Sequence, residues 1–366
     1  MFNWNFKSNL TWLKGSTIFL TMHGSRAYGT NIEGSDIDYR GFCIAPEKYY
    51  FGFLDNFEQV DLHEPEDVCI FDLRKFLKLA SEANPNVLEI LFTDPSSHIL
   101  NHKVNQVLFD NRDLFLSKKV KFTFFGYAFS QMKRIKTHKS WLSNPIKEPP
   151  KREDFGLPEY SSIVSKDQML AAEAEINKKL AKWNLTDLDN FEPAARQSIK
   201  ELFNETLLDI TGWNWSETEE KLYLAAAHSI GVDDNFLEVI KIERKYNLKK
   251  KEFEQYQNWL KTRNPKRAAI EFQFGYDTKH AYHLVRLCRM CLEILQDKKV
   301  LVKRPDAEEL IRIRNGDWSY DKLLEWFEGQ ENILNTAYQN STLPHSPNKS
   351  KIDEICIKMI KEFLYG

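Results

Sequence analysis

The chain has 366 residues, with 51 Lys and Arg against 53 Asp and Glu, for a formal net charge of -2. That balance excludes a global basic field, so any nucleic-acid contact has to use a local patch. With 42% hydrophobic and 28% charged residues, the composition is that of a globular protein, long enough for two or three domains with real cores. Five cysteines, Cys43, Cys69, Cys288, Cys291 and Cys356, lie mostly in apolar runs and lack metal-type pairing. They read as reduced thiols of a cytoplasmic protein, and Cys288 with Cys291 reads as helix core. The start of the chain has no signal-peptide organisation, and no run approaches the ~18 apolar residues of a membrane span. No membrane partner is expected.

The first strand is Thr17-Ile18-Phe19-Leu20-Thr21-Met22, followed by a Gly24-Ser25 turn, a helical turn ending near Gly29, and a second strand holding Asp36 and Asp38. On a strand these two carboxylates share one face, with Ile37 and Tyr39 on the other. Their repulsion calls for a cation, and hard oxygen ligands suit Mg2+, with Mn2+ as the alternative, completed by substrate phosphates. The backbone N–H groups and hydroxyl of Gly24-Ser25 can meet a phosphate beside that metal. The spacing of Gly24, Ser25, Gly29, Asp36 and Asp38 resembles the signature of the DNA polymerase β-like nucleotidyltransferase superfamily. The fold implied is α+β, an N-terminal nucleotidyltransferase domain with a mixed sheet and flanking helices, followed by a mostly helical region.

The second strand continues through Phe42-Cys43-Ile44-Ala45 and stops at Pro46, which cannot donate to a ladder. Asp67-Val68-Cys69-Ile70-Phe71 reads as another strand, and Asp72 as the cap of a helix carrying Leu73, Phe76, Leu77 and Ala80. The resemblance implies a third carboxylate on a neighbouring strand, acting as metal ligand and base. Asp67 is favoured because Asp72 already has a capping role. Val87–Phe92 is a further short apolar element, and the catalytic domain is expected to span residues 1–100.

Residues 101–366 read as mostly helical, with a loop over 143–162 marked by Pro145, Pro149, Pro150, Gly156 and Pro158. Lys118, Lys119, Lys121, Lys133, Arg134, Lys136, His138 and Lys139 surround the aromatic run 122–129, a pattern that can hold a polynucleotide through phosphate charge and base stacking; the blander reading is a solvated helix face with its aromatics in the core. Residues 163–260 carry amphipathic helical patterns, with Lys249-Lys250-Lys251 a solvated face. Further on, Ala281, Leu284, Val285, Cys288, Cys291, Leu292 and Leu295 fill one sector of a helix, with Lys279, His283 and Arg286 opposite. That helix is expected to fold back over the sheet and supply cations to phosphates, with Arg26 and Arg40 the nearest basic residues in the N-terminal domain.

A closer resemblance rests on Gly24–Gly29, Ser35–Gly41, Arg74-Lys75-Phe76, Asn84-Pro85-Asn86, Tyr276–Ala281 and Ile313-Arg314-Asn315-Gly316. Together these look like the RNA-ligase-associated, RlaP-type branch of the superfamily. It implies transfer of an NMP from an NTP to a hydroxyl, with nucleic acid, RNA foremost, as acceptor. It also implies Asp36, Asp38 and Asp67 as catalytic metal ligands, and Gly24, Ser25, Arg26, Lys279, His280, His283 and Arg286 as nucleotide-binding residues. Two other readings remain open on the sequence: a protein-modifying, antitoxin-like nucleotidyltransferase, and a non-catalytic nucleic-acid-binding module.

Overall fold

The computed structural model describes residues 4, 6–159 and 234–366, with 165, 167, 168, 170–172, 174, 175, 228, 231 and 232. The expectation for residues 163–233 lies almost wholly outside these. The chain forms two compact units, residues 1–139 with 266–366, and residues 140–265.

The first unit is built on a five-stranded sheet in the order β3-β4-β2-β1-β5. Its strands are β1 (Thr17–His23), β2 (Asp38–Cys43), β3 (Gln59–Leu62), β4 (Asp67–Asp72) and β5 (His98–Asn101). β2 and β4 run parallel, and the other neighbouring pairs antiparallel. Successive side chains of a strand alternate faces, and the burial follows: Phe42 and Ile44 enter one core while Cys43 and Ala45 enter the other. The smaller core is closed by Phe6, Leu13 and Phe57. The larger is closed by helices.

Those helices begin with α1 (Gly24–Tyr28), α2 (Leu73–Ser81) and α3 (Pro85–Leu91). Asp72 caps α2 by accepting from Arg74 N–H at 3.0 Å, as its position before the apolar run predicts. Asn84-Pro85 opens α3 rather than merely ending α2, since Asn84 accepts from Val87 N–H and Pro85 takes the first helical position. Next come α4 (Val120–Ser143), α5 (Asp234–Thr262), α6 (Pro265–Phe274), α7 (Thr278–Asp297), α8 (Ala307–Arg314), α9 (Tyr320–Asn340) and α10 (Lys349–Tyr365). α7 packs against α8 and α9, and α10 against α2. The helices of residues 266–366 share one core with the sheet. The boundary near residue 100 therefore does not separate two compact bodies. Phe124 and Phe125 of α4 lie in that core, and all five cysteines are buried and free.

In the second unit Arg152 makes a two-pronged ion pair with buried Glu243 at 2.5 and 3.0 Å. Trp141, Tyr256 and Trp259 cluster, with Trp141 edge to face on Tyr256 and the other two pairs tilted. Lys249, Lys250 and Lys251 are exposed on α5.

At Gly41 β2 lies close against β1: a Cβ there would overlap the backbone carbonyl of Phe19. A carbonyl locked in the ladder cannot retreat as a flexible side chain can. Gly41→Ala should therefore lower unfolding stability by about 1–3 kcal/mol, the usual cost of overpacking. A reduced urea midpoint with unchanged slope checks this.

Candidate active site

β1 ends at His23, and the chain turns through Gly24 at φ 64° into the single turn of α1. Only glycine takes that left-handed conformation cheaply. A side chain here would also overlap Asp38 Oδ2, so the Gly24-Ser25 backbone lies directly against a carboxylate. Thr30 N–H donates to Ser25 C=O at 2.8 Å, Arg26 donates to Ser35 C=O at 3.1 Å, and Ser35 Oγ accepts from Ile32 N–H at 2.9 Å. These bonds fold residues 30–35 back on the turn.

β2 begins at Asp38, and Asp36 lies in the exposed segment just before it rather than on the strand. The strand starts late because its pairing with β4 begins at the register pair Asp38 and Asp67. Neighbouring register partners point to the same face, and so does Arg40, two residues along β2. The Arg40 guanidinium lies 2.8 Å from Asp67 Oδ2 and 3.9 Å from Asp38 Oδ1. His63 Nδ1 approaches the other Asp67 oxygen at 3.2 Å. Asp72 sits at the far end of β4, opposite Cys43.

The titration of the pair splits accordingly. Burial raises the Asp38 carboxyl, Arg40 opposes that rise, and the charges of Asp67 and Asp36 add to it. Burial also pushes Asp67 up, but the hydrogen bond and charge of Arg40, joined by His63, hold it below the ordinary carboxylate value. Asp38 thus stands in the fields of both Asp36 and Asp67. Oxygen-only donors already sharing a cation fit Mg2+ or Mn2+.

Lys279, the second residue of α7, reaches the same place. Burial lowers its pKa, as do Arg267 and Arg314, while Asp36 and Asp277 raise it, and its charge in turn favours ionised Asp38. Arg314, at the end of α8, donates to Thr30 C=O at 3.3 Å and lies over the Tyr282 ring.

The other basic residues expected on the polar sector of α7 are placed differently. Arg286 is 3% exposed, not solvent-facing as the helical wheel implied. Its guanidinium pairs with Glu89, which is fully buried on α3, and stacks 3.8 Å from the Tyr28 ring centroid. Tyr28 Oη donates to the other Glu89 oxygen, and His23 Nε2 lies 3.6 Å from it. Burial pushes His23 down to about 4, so its imidazole is neutral. His283 is half-buried against the Tyr282 ring, and burial, then Arg286, holds it neutral. His280 is buried, with Nδ1 2.6 Å from Gln131 Oε1.

Glu89, His63 and Arg314 carried no functional reading in the sequence. Glu89 could have been found, because a carboxylate inside Val87-Leu88-Glu89-Ile90-Leu91 needs a buried partner. His63 gives no local signal, and Arg314 stood only within the Ile313–Gly316 motif of the closer resemblance.

Residues 6–147 match the RlaP family model, an RNA repair pathway DNA polymerase beta family. Over this stretch the chain resembles a polymerase β-like module of the RlaP type, and the α+β fold around it agrees. The chain is also similar to a Bacillus subtilis (strain 168) protein named Uncharacterized protein YcgL, at 30% identity over 79 residues. Those residues span 21% of this chain and 30% of that protein. No solved structure matches the chain. No helix among the described residues is long and apolar enough to cross a membrane.

Arg286→Ala would leave the Glu89 charge buried without its cation. Breaking a buried pair from one side costs about 3–5 kcal/mol, so the variant should unfold at markedly lower denaturant than the wild type. A wild-type midpoint would show that Glu89 does not depend on Arg286.

Proposed function

We propose that this chain is a metal-dependent nucleotidyltransferase that moves an NMP from an NTP to a hydroxyl, with an RNA end as the acceptor. The observation that carries the reading is the register pair Asp38 and Asp67 beside the Gly24-Ser25 turn, with Asp36 and Lys279 in the same field. The family description supplies the RNA-repair context.

In this reading Asp36, Asp38 and Asp67 hold Mg2+ or Mn2+, which when bound neutralises charge on the phosphates and on the attacking and leaving oxygens. Asp67, kept ionised by Arg40 and His63, takes the proton of the acceptor hydroxyl. Gly24 and Ser25 offer backbone N–H groups and a hydroxyl to the phosphates, and exposed Arg26 adds charge from the next residue. Lys279 meets the triphosphate from the α7 side, and Arg314 stands behind it. Positioning and charge compensation do the chemical work. His280, His283 and Arg286 are left out of direct phosphate contact because their side chains are engaged elsewhere.

Incubation with Mg2+ and each α-labelled NTP, offering RNA, DNA and the protein itself, tests this. Label on RNA supports it, label on protein transfers the activity to the protein-modifying class, and no label on any acceptor removes the enzymatic reading. Asp36→Asn and Asp38→Asn should each lower transfer by several orders of magnitude without loss of fold. Asp67→Asn should depress the chemical step far more than NTP affinity, as loss of a base does. Full activity in the folded variants would dismantle the metal site.

Lys279→Ala should weaken NTP binding by roughly tenfold or more, on the order of the 1.5–3 kcal/mol of a hydrogen bond to a charged group. Calorimetric titration with a non-hydrolysable NTP reads this directly, and wild-type affinity would remove Lys279 from the site.

A further inference from the structure

One helical turn from Lys279, a second polar assembly is gathered by three helices of the same unit. α4 contributes His138, α6 contributes Glu271, and the start of α7 contributes Asp277, with His280 of the same helix beside Asp277. Glu271 and Asp277 side chains are 2% and 1% exposed. One ligand atom each from His138, Glu271 and Asp277 falls within 4.8 Å of the others. His138 Nδ1 lies 3.2 Å from Glu271 Oε1, and His280 Nε2 lies 3.5 Å from Asp277 Oδ2. For metal bonds of about 2.1 Å, the ligand-to-ligand edge of a tetrahedron is about 3.4 Å. The two measured edges bracket that length.

The donor chemistry points the same way. His280 Nδ1 faces Gln131 Oε1 at 2.6 Å. An amide oxygen only accepts, so Nδ1 carries the hydrogen and the Nε2 lone pair is directed into the cluster. A partner on the far nitrogen that fixes the tautomer is the usual outer support of a metal-bound histidine. Gln131 lies seven residues before His138, on the same face of α4. Inside the cluster, Arg267 Nη1 receives this lone pair at 2.9 Å and Asp277 Oδ2 at 3.4 Å. A single positive nitrogen is thus met by an imidazole lone pair and a carboxylate oxygen, as an ion would be. The Arg267 side chain is 36% exposed and has a route outward.

We propose that His138, Glu271, Asp277 and His280 form a binding site for a divalent first-row transition metal ion of the zinc class, for which Arg267 is the resident competitor. Two carboxylates and two neutral imidazoles balance a divalent charge, which is what a buried site requires. Mixed nitrogen and oxygen donors favour such an ion over Mg2+. The site is separate from Asp36, Asp38 and Asp67 and does not depend on the proposed nucleotidyl transfer.

The test is titration of the full chain with Zn2+ against a chromogenic chelator, with fold checked by circular dichroism. One Zn2+ should bind per chain in the wild type and equally in an Asp38→Asn, Asp67→Asn double variant. Asp277→Asn, which keeps the helix cap, and Glu271→Gln should each weaken binding by at least about tenfold. Arg267→Gln, which removes no ligand, should tighten it, and this comparison stands even if a ligand variant fails to fold. The proposal is overturned by the absence of stoichiometric Zn2+ binding, by loss of Zn2+ in the double variant, or by affinity that Arg267→Gln does not raise.

Discussion

Two carboxylates at the starts of neighbouring parallel strands repel one another unless a cation stands with them, and this constraint shapes the end of the sheet where β2 and β4 begin. The register that sets Asp38 beside Asp67 also sets Arg40 on their face, two residues along the same strand. Arg40 does not serve the pair equally. It bonds Asp67 closely and leaves Asp38 at longer range, so one carboxyl is held ionised while burial raises the other. A compact divalent cation would relieve Asp38 in a way that a guanidinium fixed to the neighbouring carboxylate cannot. The same crowding dictates glycine at position 24, where any side chain would occupy the volume of the Asp38 carboxylate.

A second charge, Glu89, joins the sheet edge to the helices. A fully buried carboxylate requires donors, and they come from two directions: Tyr28 at the end of α1, and Arg286 in the middle of α7. The turn that follows β1 and the long helix are therefore tied through one residue of α3. Lys279 lies seven residues before Arg286, two turns and about 10.5 Å along the same face of α7. Fixing Arg286 on Glu89 fixes the line along which Lys279 approaches Asp36 and Asp38.

What was legible in the sequence is what local chemistry determines. The Gly24-Ser25 turn, the cap at Asp72, the strand opened by Asp67 and the apolar sector of α7 all follow from residue type and spacing, and the structure has them. The wheel also put Lys279 and Arg286 on one face correctly. It could not tell that this face is itself covered at Arg286, because the covering residues, Glu89 and Tyr28, lie far away in sequence and declare nothing about α7. The strand start at Asp38 rather than Asp36 depends on where pairing with β4 begins, which is likewise a long-range fact. So is the membership of residues 266–366 in the sheet's core, which places helices on the site's own unit.

The first turn of α7 serves two polar assemblies because successive helical residues turn by 100°. Lys279 is directed toward the carboxylates of the sheet, and His280, one position on, toward α4 and α6. Asp277 caps the helix beneath both. Arg267 acts on each: it bonds His280 and Asp277, and its charge lowers the pKa of Lys279. A change of charge at Arg267 or Asp277 is therefore felt at Lys279, through fields in a largely buried medium.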